Sequence, residues 1–386
     1  SGRRSLSEAR TAAQGFGRHG AFPILAAERF HDRSNRLGGR WHRVFINGSA
    51  DLWALLVFPA KLQRTLHAKS PLARLLQKRS AAGRVAASKI SPFDKGGFRF
   101  DDRIATVTLK TLHMTPYHHR TIVAGDIKTH FLEAGSGPDL VLLHGGEYGA
   151  SAEITWRPNI ESLSKTFHVI APDLLGWGLT DKLYSFSDPA GLRIKHLQRF
   201  LEALGIGRAL FVGNSAGGGL ILRASVRRPA SLQIEKMVTI CGNASVFKTN
   251  SQADLENYTP SLENMRKIIA LLYHDPKWQT DENIRERYEC SIIPGAWETL
   301  SAARLRSPVH QPRSTSAEFV SQLSQLKTPL LIMSCAHDPL NQSDWDVNFQ
   351  KIVPGSKVHR FMHSAHEPQI EESDEFNRVL TEFLIG

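Results

Sequence analysis

The sequence predicts an α/β protein with a mostly parallel, doubly wound sheet. From about residue 104 onward, runs of Val, Ile and Leu such as 139–146 and 209–215 alternate with stretches like 187–204, where apolar residues recur at helical spacing. Strands that are apolar along their whole length are typical of a parallel sheet covered by helices on both faces. The 386-residue chain is long enough for one such domain and an accessory element.

The predicted strands and helices follow one another in a simple order. Apolar and polar residues alternate at 104–112 and at 120–135, and the second stretch contains an Ala-Gly-Asp turn. This pattern predicts antiparallel strands at the start of the sheet. Apolar runs predict buried strands at 139–146, 167–178, 209–215, 235–244, 328–338 and 357–366, and helical spacing predicts helices at 187–204, 217–228 and 373–384.

The positive charge of the chain is concentrated in its N-terminal third. Residues 1–120 hold 22 Lys and Arg against 7 Asp and Glu, whereas the remainder holds 26 against 30, so the net charge of +11 comes from the first part. Apolar residues at helical spacing over 49–79 predict helices there. A basic segment favours an anionic partner such as a membrane surface. The alternative is a solvated extension that lies on the main domain, and the absence of a nucleic-acid motif argues against nucleic acid.

These patterns divide the chain into three parts. Residues 1–103 are a basic helical N-terminal extension with a linker, residues 104–244 and 326–386 form the α/β core, and residues 245–325 are a mainly helical insertion.

Without a secretory signal or an apolar run of membrane-spanning length, we expect a cytoplasmic protein, with peripheral membrane association and a homodimer left open. The three cysteines are widely spaced and match neither a disulfide framework nor a zinc ligand set, so we expect buried free thiols.

Ser215 lies in a Gly-Asn-Ser-Ala-Gly segment between a predicted strand and a predicted helix. This is the G-x-S-x-G pattern, in which only glycine-sized neighbours let strand and helix approach closely enough to expose the serine on a strained turn. The backbone N–H of Ala216 would then lie at a helix N-terminus, where it can stabilise an oxyanion. The sequence therefore predicts that Ser215 is a nucleophile.

Two further residues follow later strands, and together with Ser215 they give the chain order Ser, Asp, His that is expected with a G-x-S-x-G serine. A serine hydroxyl needs a base, and His366 after the last strand is placed for that role. Asp338, at the end of the preceding strand, can orient the imidazole and stabilise its cation. Asp344 and Asp346 are rivals for the role of Asp338.

Other polar residues near strand ends have less specific interpretations. A second oxyanion donor is expected from the loop after 139–143, where Gly146 or Glu147 can supply a backbone N–H. His363 precedes His366 by three residues, but no carboxylate or cysteine set accompanies the pair, so we do not predict a metal site. Asp173 is interpreted as a residue that organises its loop.

Four segments together resemble the α/β-hydrolase superfamily over about residues 104–386. They are Leu-Leu-His-Gly-Gly at 142–146, the Asp173 loop, the Ser215 motif and the closing segment from Ala365 onward. Within that superfamily, 157–182, the Ser215 motif and 261–289 are similar to the meta-cleavage product hydrolases. The resemblance implies an α/β-hydrolase fold and hydrolysis of a carbon–carbon bond in vinylogous diketone acids, without a cofactor.

The same resemblance assigns roles to the insertion. It implies that residues 245–325 form a cap over an apolar pocket, and that Arg287 binds the substrate carboxylate. The alternative is a surface arginine paired with Asp281, Glu282 or Glu286. We also predict that Asn214 and Trp156 contribute to substrate binding.

One position departs from the family pattern. Those hydrolases typically have a tryptophan after the catalytic histidine, whereas this chain has Glu367, which is also a candidate binding residue and would oppose an anionic substrate. The predicted function is therefore a serine hydrolase acting on a small apolar carbonyl compound, most like carbon–carbon bond hydrolysis. Ester or lactone hydrolysis, and ligand binding without catalysis, remain the alternatives.

Overall fold

The structure, a computed structural model, describes residues 41–47, 53–59, 116–247, 249–251, 255–305 and 316–386. The chain divides into two compact units, residues 1–107 and residues 108–386. Each unit is described by itself.

The described part of the first unit is an antiparallel hairpin. Strand β1 (Trp41–Asn47) pairs with strand β2 (Trp53–Pro59), with Trp41 opposite Pro59. The prediction of helices over 49–79 is therefore wrong for β2. A short run that is apolar throughout does not distinguish a helix from a strand, and pairing with β1 supplies the backbone hydrogen bonds. The remainder of the predicted extension and its linker lie outside the described residues.

The second unit contains an eight-stranded sheet. Its strands are β3 (His118–Ala124), β4 (Ile127–Ala134), β5 (Asp139–Leu143), β6 (His168–Pro172), β7 (Arg208–Asn214), β8 (Gln233–Ile240), β9 (Leu330–Cys335) and β10 (Lys357–Phe361). They lie in the order β10-β9-β8-β7-β5-β6-β4-β3. Strands β3 and β4 pair antiparallel, β4 also pairs antiparallel with β6, and the remaining pairs are parallel. This confirms the predicted sheet, and the Ala-Gly-Asp turn joins β3 to β4. The predicted strand at 104–112 lies outside the described residues.

Helices cover both faces of the sheet, and each face has its own apolar core. The helices are α1 (Ala152–Leu163), α2 (Pro189–Ala203), α3 (Ala216–Val226), α4 (Leu262–Leu272), α5 (Asp281–Ser291), α6 (Ala296–Ser301), α7 (Ser316–Leu323), α8 (Trp345–Ile352), α9 (Pro368–Glu371) and α10 (Ser373–Ile385). One core lies against α2, α3, α7 and α8, and the other against α1 and α10.

The helical insertion between β8 and β9 has a separate core. Buried residues of α4 and α5, including Met265, Ile269 and Ile284, pack together. In α7, by contrast, Phe319 and Leu323 pack with the core of the sheet. The backbone N–H of His366 donates to the carbonyl of Leu272 at the end of α4 (2.9 Å), so the insertion contacts the edge of the sheet where the strands end.

Candidate active site

A cavity of about 550 Å³ lies at the carboxyl ends of the parallel strands. Ser215, His366, Gly146 and Ala216 all contribute to its lining, together with residues of the loop after β8 and of the helical insertion. Ligand sites in open α/β sheets occur at this edge, because loops after several strands converge there. The structure thus places most of the predicted chemical groups around one cavity.

Ser215 lies in a strained turn between β7 and α3. Its backbone φ is 49° and ψ is −110°, a region that residues other than glycine rarely adopt. Its N–H donates to the carbonyl of Ile240 (2.7 Å), and its carbonyl accepts from the N–H of Gly219 (2.9 Å). Strand and helix are in contact here, since a Cβ on Gly213 would lie 2.4 Å from the carbonyl carbon of Gly217. These contacts hold the Ser215 turn in place beside the cavity.

A substitution at Gly217 tests how tightly this turn is built. A Cβ there would lie 2.5 Å from the carbonyl oxygen of Leu143 and 2.6 Å from that of His144, both backbone atoms of the loop after β5. We expect Gly217→Ala to lower the free energy of unfolding by about 3 kcal/mol, as overpacking against backbone does. Urea unfolding measures this effect. Gly207→Ala, where nothing lies within 4 Å of the added atom, is the control, and equal stability of both variants would contradict the close approach.

His366 and Asp338 form a buried hydrogen-bonded pair. Nδ1 of His366 lies 3.0 Å from both carboxylate oxygens of Asp338, which also accept from the Leu340 N–H (2.9 Å) and the Asn341 amide (2.7 Å). Because the Asp338 carboxylate accepts a hydrogen bond from Nδ1–H, the imidazole proton stays on Nδ1 and Nε2 keeps its lone pair. Nε2 is buried and has no hydrogen-bond partner within the described residues, so it is free to accept a proton in the cavity.

The charges of this pair shift both pKa values. Burial disfavours the charged imidazole, but the Asp338 carboxylate outweighs burial and raises the pKa of His366 well above its usual 6.5. Burial likewise opposes ionisation of Asp338, yet His366 and the hydrogen bonds from Asn341 and Leu340 lower the pKa of Asp338.

The pH dependence of turnover follows from these shifts. A base must be neutral to accept a proton, so we expect kcat/KM to rise with pH through a pKa above 6.5 and to fall on acidification. Asp338→Asn removes the stabilising charge and should move this limb to lower pH while reducing kcat by roughly 10⁴-fold. Steady-state rates between pH 5 and 9 give both values. An acidic limb that stays in place in Asp338→Asn would contradict the assignment.

The rival acidic residues are engaged elsewhere. Asp346 is buried, pairs with Arg360, and accepts from Ser334 Oγ (2.5 Å), while Asp344 is exposed before α8. Asp173 accepts from the N–H groups of Ala152 and Leu179 (2.8 Å each), which confirms the interpretation that it organises its loop.

Two backbone amides face the cavity beside Ser215. They belong to Ala216, the first residue of α3, and to Gly146 in the loop after β5; neither has an internal acceptor within the described residues. The N–H of Glu147, by contrast, donates to its own carboxylate, which contributes to lowering the pKa of Glu147. The geometry therefore favours Gly146 over Glu147 as the second oxyanion donor.

Arg287 lies in a buried group of charged residues, and neither at the cavity nor on the surface. It is 1% exposed, and its guanidinium donates to Glu147 (2.7 Å), to Glu367 (2.7 Å) and to the hydroxyl of Tyr273 (2.8 Å). Glu367 is fully buried and also accepts from the Tyr273 hydroxyl. Neither Arg287 nor Glu367 lines the cavity. Glu367 thus shares the Arg287 guanidinium with Glu147; we call Arg287, Glu147, Glu367 and Tyr273 the buried ion cluster.

The other two predicted binding residues also lie outside the cavity lining. Trp156 is fully buried in α1 and packs on Phe376 of α10 with ring centroids 6.3 Å apart. Asn214 is fully buried, and its amide donates to the carbonyl of His366 (3.1 Å). Asn214 therefore holds the loop that carries His366 and makes no contact with the cavity.

Sequence reasoning missed three residues at the site. Cys241 places its sulfur within 4.8 Å of the His366 and Asp338 side-chain atoms and 3.5 Å from the sulfur of Cys335. Burial raises the pKa of the Cys241 thiol well above its usual value, which keeps the thiol neutral. Arg193 lines the cavity from α2. The third missed residue is Asn341, whose side-chain amide donates to Asp338. Its position three residues after Asp338 could have indicated this contact, whereas no local pattern indicates Cys241 or Arg193.

In the described part of the chain, no helix is both long enough and apolar enough to cross a membrane.

Comparison with known proteins agrees with this geometry. Residues 140–379 match the alpha/beta hydrolase family, so the chain belongs to that family. It is 30% identical over 271 residues to a 2-hydroxymuconate semialdehyde hydrolase of Pseudomonas putida, covering 70% of this chain and 95% of the relative. It is 29% identical over 266 residues to the 2-hydroxy-6-oxo-2,4-heptadienoate hydrolase of Pseudomonas putida F1, covering 69% and 95%.

A solved structure gives the same result. A meta-cleavage product hydrolase from Pseudomonas fluorescens IP01 superimposes with a TM-score of 0.61 at 31% identity, covering 69% of this chain and 97% of that one. The predicted class, a hydrolase similar to the meta-cleavage product hydrolases, is confirmed.

Proposed function

We propose that the protein hydrolyses the carbon–carbon bond next to the ketone of a 2-hydroxy-6-oxo-2,4-dienoic acid, with Ser215, His366 and Asp338 as its catalytic residues. The observation that carries the proposal is the strained Ser215 turn beside the partnerless Nε2 of His366 in one cavity. The similarity to hydrolases whose names state such substrates supports the choice of substrate class.

The proposed reaction uses these groups in a fixed order. The dienol first tautomerises, so that its hydroxyl proton leaves and C5 gains a proton. Ser215 Oγ then attacks the C6 ketone while His366 Nε2 accepts the serine proton, and the amides of Ala216 and Gly146 stabilise the oxyanion. The C5–C6 bond breaks, its electron pair passes through the conjugated chain to the oxygen on C2, and His366 gives its proton to that oxygen, which releases the 2-hydroxydienoic acid. Neutral His366 then accepts a proton from water as the water oxygen attacks the acyl-enzyme, and it returns this proton to Ser215 Oγ, so the water oxygen remains in the released carboxylic acid.

The size of the cavity is compatible with this substrate class. A volume of about 550 Å³ lies within the range of small-molecule sites, and the dienoic acids named for the relatives have short carbon chains. The helical insertion covers the sheet edge through the His366 to Leu272 hydrogen bond and the buried ion cluster. Exclusion of water by such a cover strengthens each electrostatic contact inside.

Two other functions were left open by the sequence, namely ester or lactone hydrolysis and ligand binding without catalysis. The same serine, histidine and oxyanion donors can attack an ester carbonyl, so the site geometry alone permits it. The relatives favour carbon–carbon hydrolysis over both alternatives.

A paired assay separates these functions. The protein is given 2-hydroxy-6-oxo-2,4-heptadienoate in one cuvette and p-nitrophenyl butyrate in another. We expect loss of the visible band of the dienoate with release of acetate, at a kcat/KM well above that for the ester. Rapid ester hydrolysis with the dienoate untouched would overturn the proposal in favour of an esterase, and inactivity on both would favour a binding protein.

A further inference from the structure

Arg193 presents an uncompensated positive charge to the cavity. It lies on α2, one turn after Ala190, and both residues line the cavity with Ser215 and His366. No carboxylate or other hydrogen-bond acceptor within the described residues contacts its guanidinium. Burial lowers the pKa of Arg193, and only the Tyr184 phenol acts in the opposite direction. Holding a half-buried guanidinium without a neighbouring carboxylate costs folding free energy, unless a bound ligand supplies the negative charge.

The other arginines around the site differ from Arg193 in this respect. Arg287 is held by two carboxylates, Arg304 donates to the Tyr148 hydroxyl and the Tyr258 carbonyl, and Arg223 donates to the Ala244 carbonyl. The described lining of the cavity contains three arginines, Arg193, Arg223 and Arg304, and two acidic residues, Glu147 and Glu256. The lining therefore holds one more positive than negative side chain.

A fixed indole ring holds the Arg193 guanidinium near the reacting groups. The guanidinium carbon lies 4.6 Å from the centroid of the Trp177 ring, and Trp177 donates its N–H to the Glu147 carbonyl (3.1 Å). The edge of the same ring lies 3.8 Å from where a Cβ on Gly146 would be, so Trp177 also borders the oxyanion loop. Trp177 therefore contacts both Arg193 and the loop that carries the Gly146 oxyanion donor.

We infer that Arg193 binds the carboxylate of the substrate, so that this enzyme takes an anionic keto acid whose acid end lies against α2. The inference rests on the proposed function and replaces the role that the sequence assigned to Arg287. A planar guanidinium matches a carboxylate with two parallel hydrogen bonds, and stacking on Trp177 fixes its plane in advance. Arg193 acts by binding and takes no part in proton transfer.

The test compares an acid with its neutral counterpart. Kinetics on 2-hydroxy-6-oxo-2,4-heptadienoate and on its methyl ester are measured for wild type, Arg193→Met, Arg193→Lys and the control Arg199→Met, which changes an exposed arginine of the same helix. For Arg193→Met we expect kcat/KM on the acid to fall about 100-fold, mainly through KM, with the methyl ester nearly unaffected. Lysine keeps the positive charge but cannot donate two parallel hydrogen bonds to a carboxylate. We therefore expect Arg193→Lys to lower kcat/KM on the acid roughly 10-fold.

A binding measurement excludes a general loss of structure. In a Ser215→Ala background, the visible band of the dienoate reports its Kd, which should rise by about the same factor when Arg193→Met is added. An unchanged Kd, or an unchanged ratio of acid to ester turnover in a variant that still cleaves both, would overturn the inference while leaving the proposed function intact. If wild type cleaves neither compound, the proposed function is wrong and the inference is overturned with it.

Discussion

Ser215→Ala is expected to reduce kcat for the dienoate by roughly 10³-fold or more while the protein stays folded, since loss of a triad nucleophile removes most of the chemical acceleration. Alanine at this position removes only Oγ, and the turn itself is held by backbone hydrogen bonds to Ile240 and from Gly219. The rate is measured from the visible band of the substrate, and circular dichroism with thermal unfolding reports the fold.

The matched control for this substitution is Ser225→Ala. Ser225 lies on the same helix, α3, and its hydroxyl donates to the Leu222 carbonyl, so the change removes a hydroxyl outside the cavity lining. It should retain wild-type turnover. A Ser215→Ala protein with wild-type kcat would show that another group supplies the nucleophile.

Arg287→Ala is expected to destabilise the protein by about 3–5 kcal/mol, because removal of one partner leaves buried carboxylates without a counter-charge. The carboxylates of Glu147 and Glu367 both contact Arg287 inside the buried ion cluster, and Arg287 itself is only 1% exposed. The arginine also joins α5 to the oxyanion loop and to the residue after His366. Turnover should therefore fall together with stability. Urea unfolding, with Arg285→Ala as an exposed control on the same helix, measures the effect.

The pH dependence of this destabilisation provides a second readout. Burial raises the pKa of Glu367 to about 7, although Arg287 acts in the opposite direction. A carboxyl whose folded pKa lies above its unfolded value stabilises less as pH rises between the two values. Without Arg287 that pKa should rise further, so the loss of stability in Arg287→Ala should be larger at pH 8 than at pH 6. A deficit that is constant with pH would contradict a charge-based role for the cluster.

Local patterns were sufficient to predict much of the fold and of the candidate site. Each apolar run from 139 onward is a strand of the sheet, because burial on both faces leaves a strong signal in the sequence. Ser215, Asp338 and His366 each follow such a strand, and the topology brings the carboxyl ends of parallel strands to one edge. The pairing of Asp338 with His366 follows from this placement.

Where tertiary contacts decide the outcome, the sequence carries no local signal. Arg287 lies 140 residues from Glu147 and 80 from Glu367, so no spacing in the sequence indicates that these three side chains form one buried cluster. The hairpin at β2 depends in the same way on its partner β1, since helical spacing in a short apolar run does not exclude a strand. No local pattern indicates Arg193, because the spacing of α2 resembles that of any amphipathic helix.

The central claim, that water cleaves the bond beside the ketone at the Ser215 site, is tested most directly by oxygen labelling. The protein is incubated with 2-hydroxy-6-oxo-2,4-heptadienoate in H₂¹⁸O, and both products are analysed by mass spectrometry. We predict acetate that carries ¹⁸O in its carboxylate and 2-hydroxypenta-2,4-dienoate that carries none. A substrate recovered intact, or label in the five-carbon fragment, would contradict the proposed reaction.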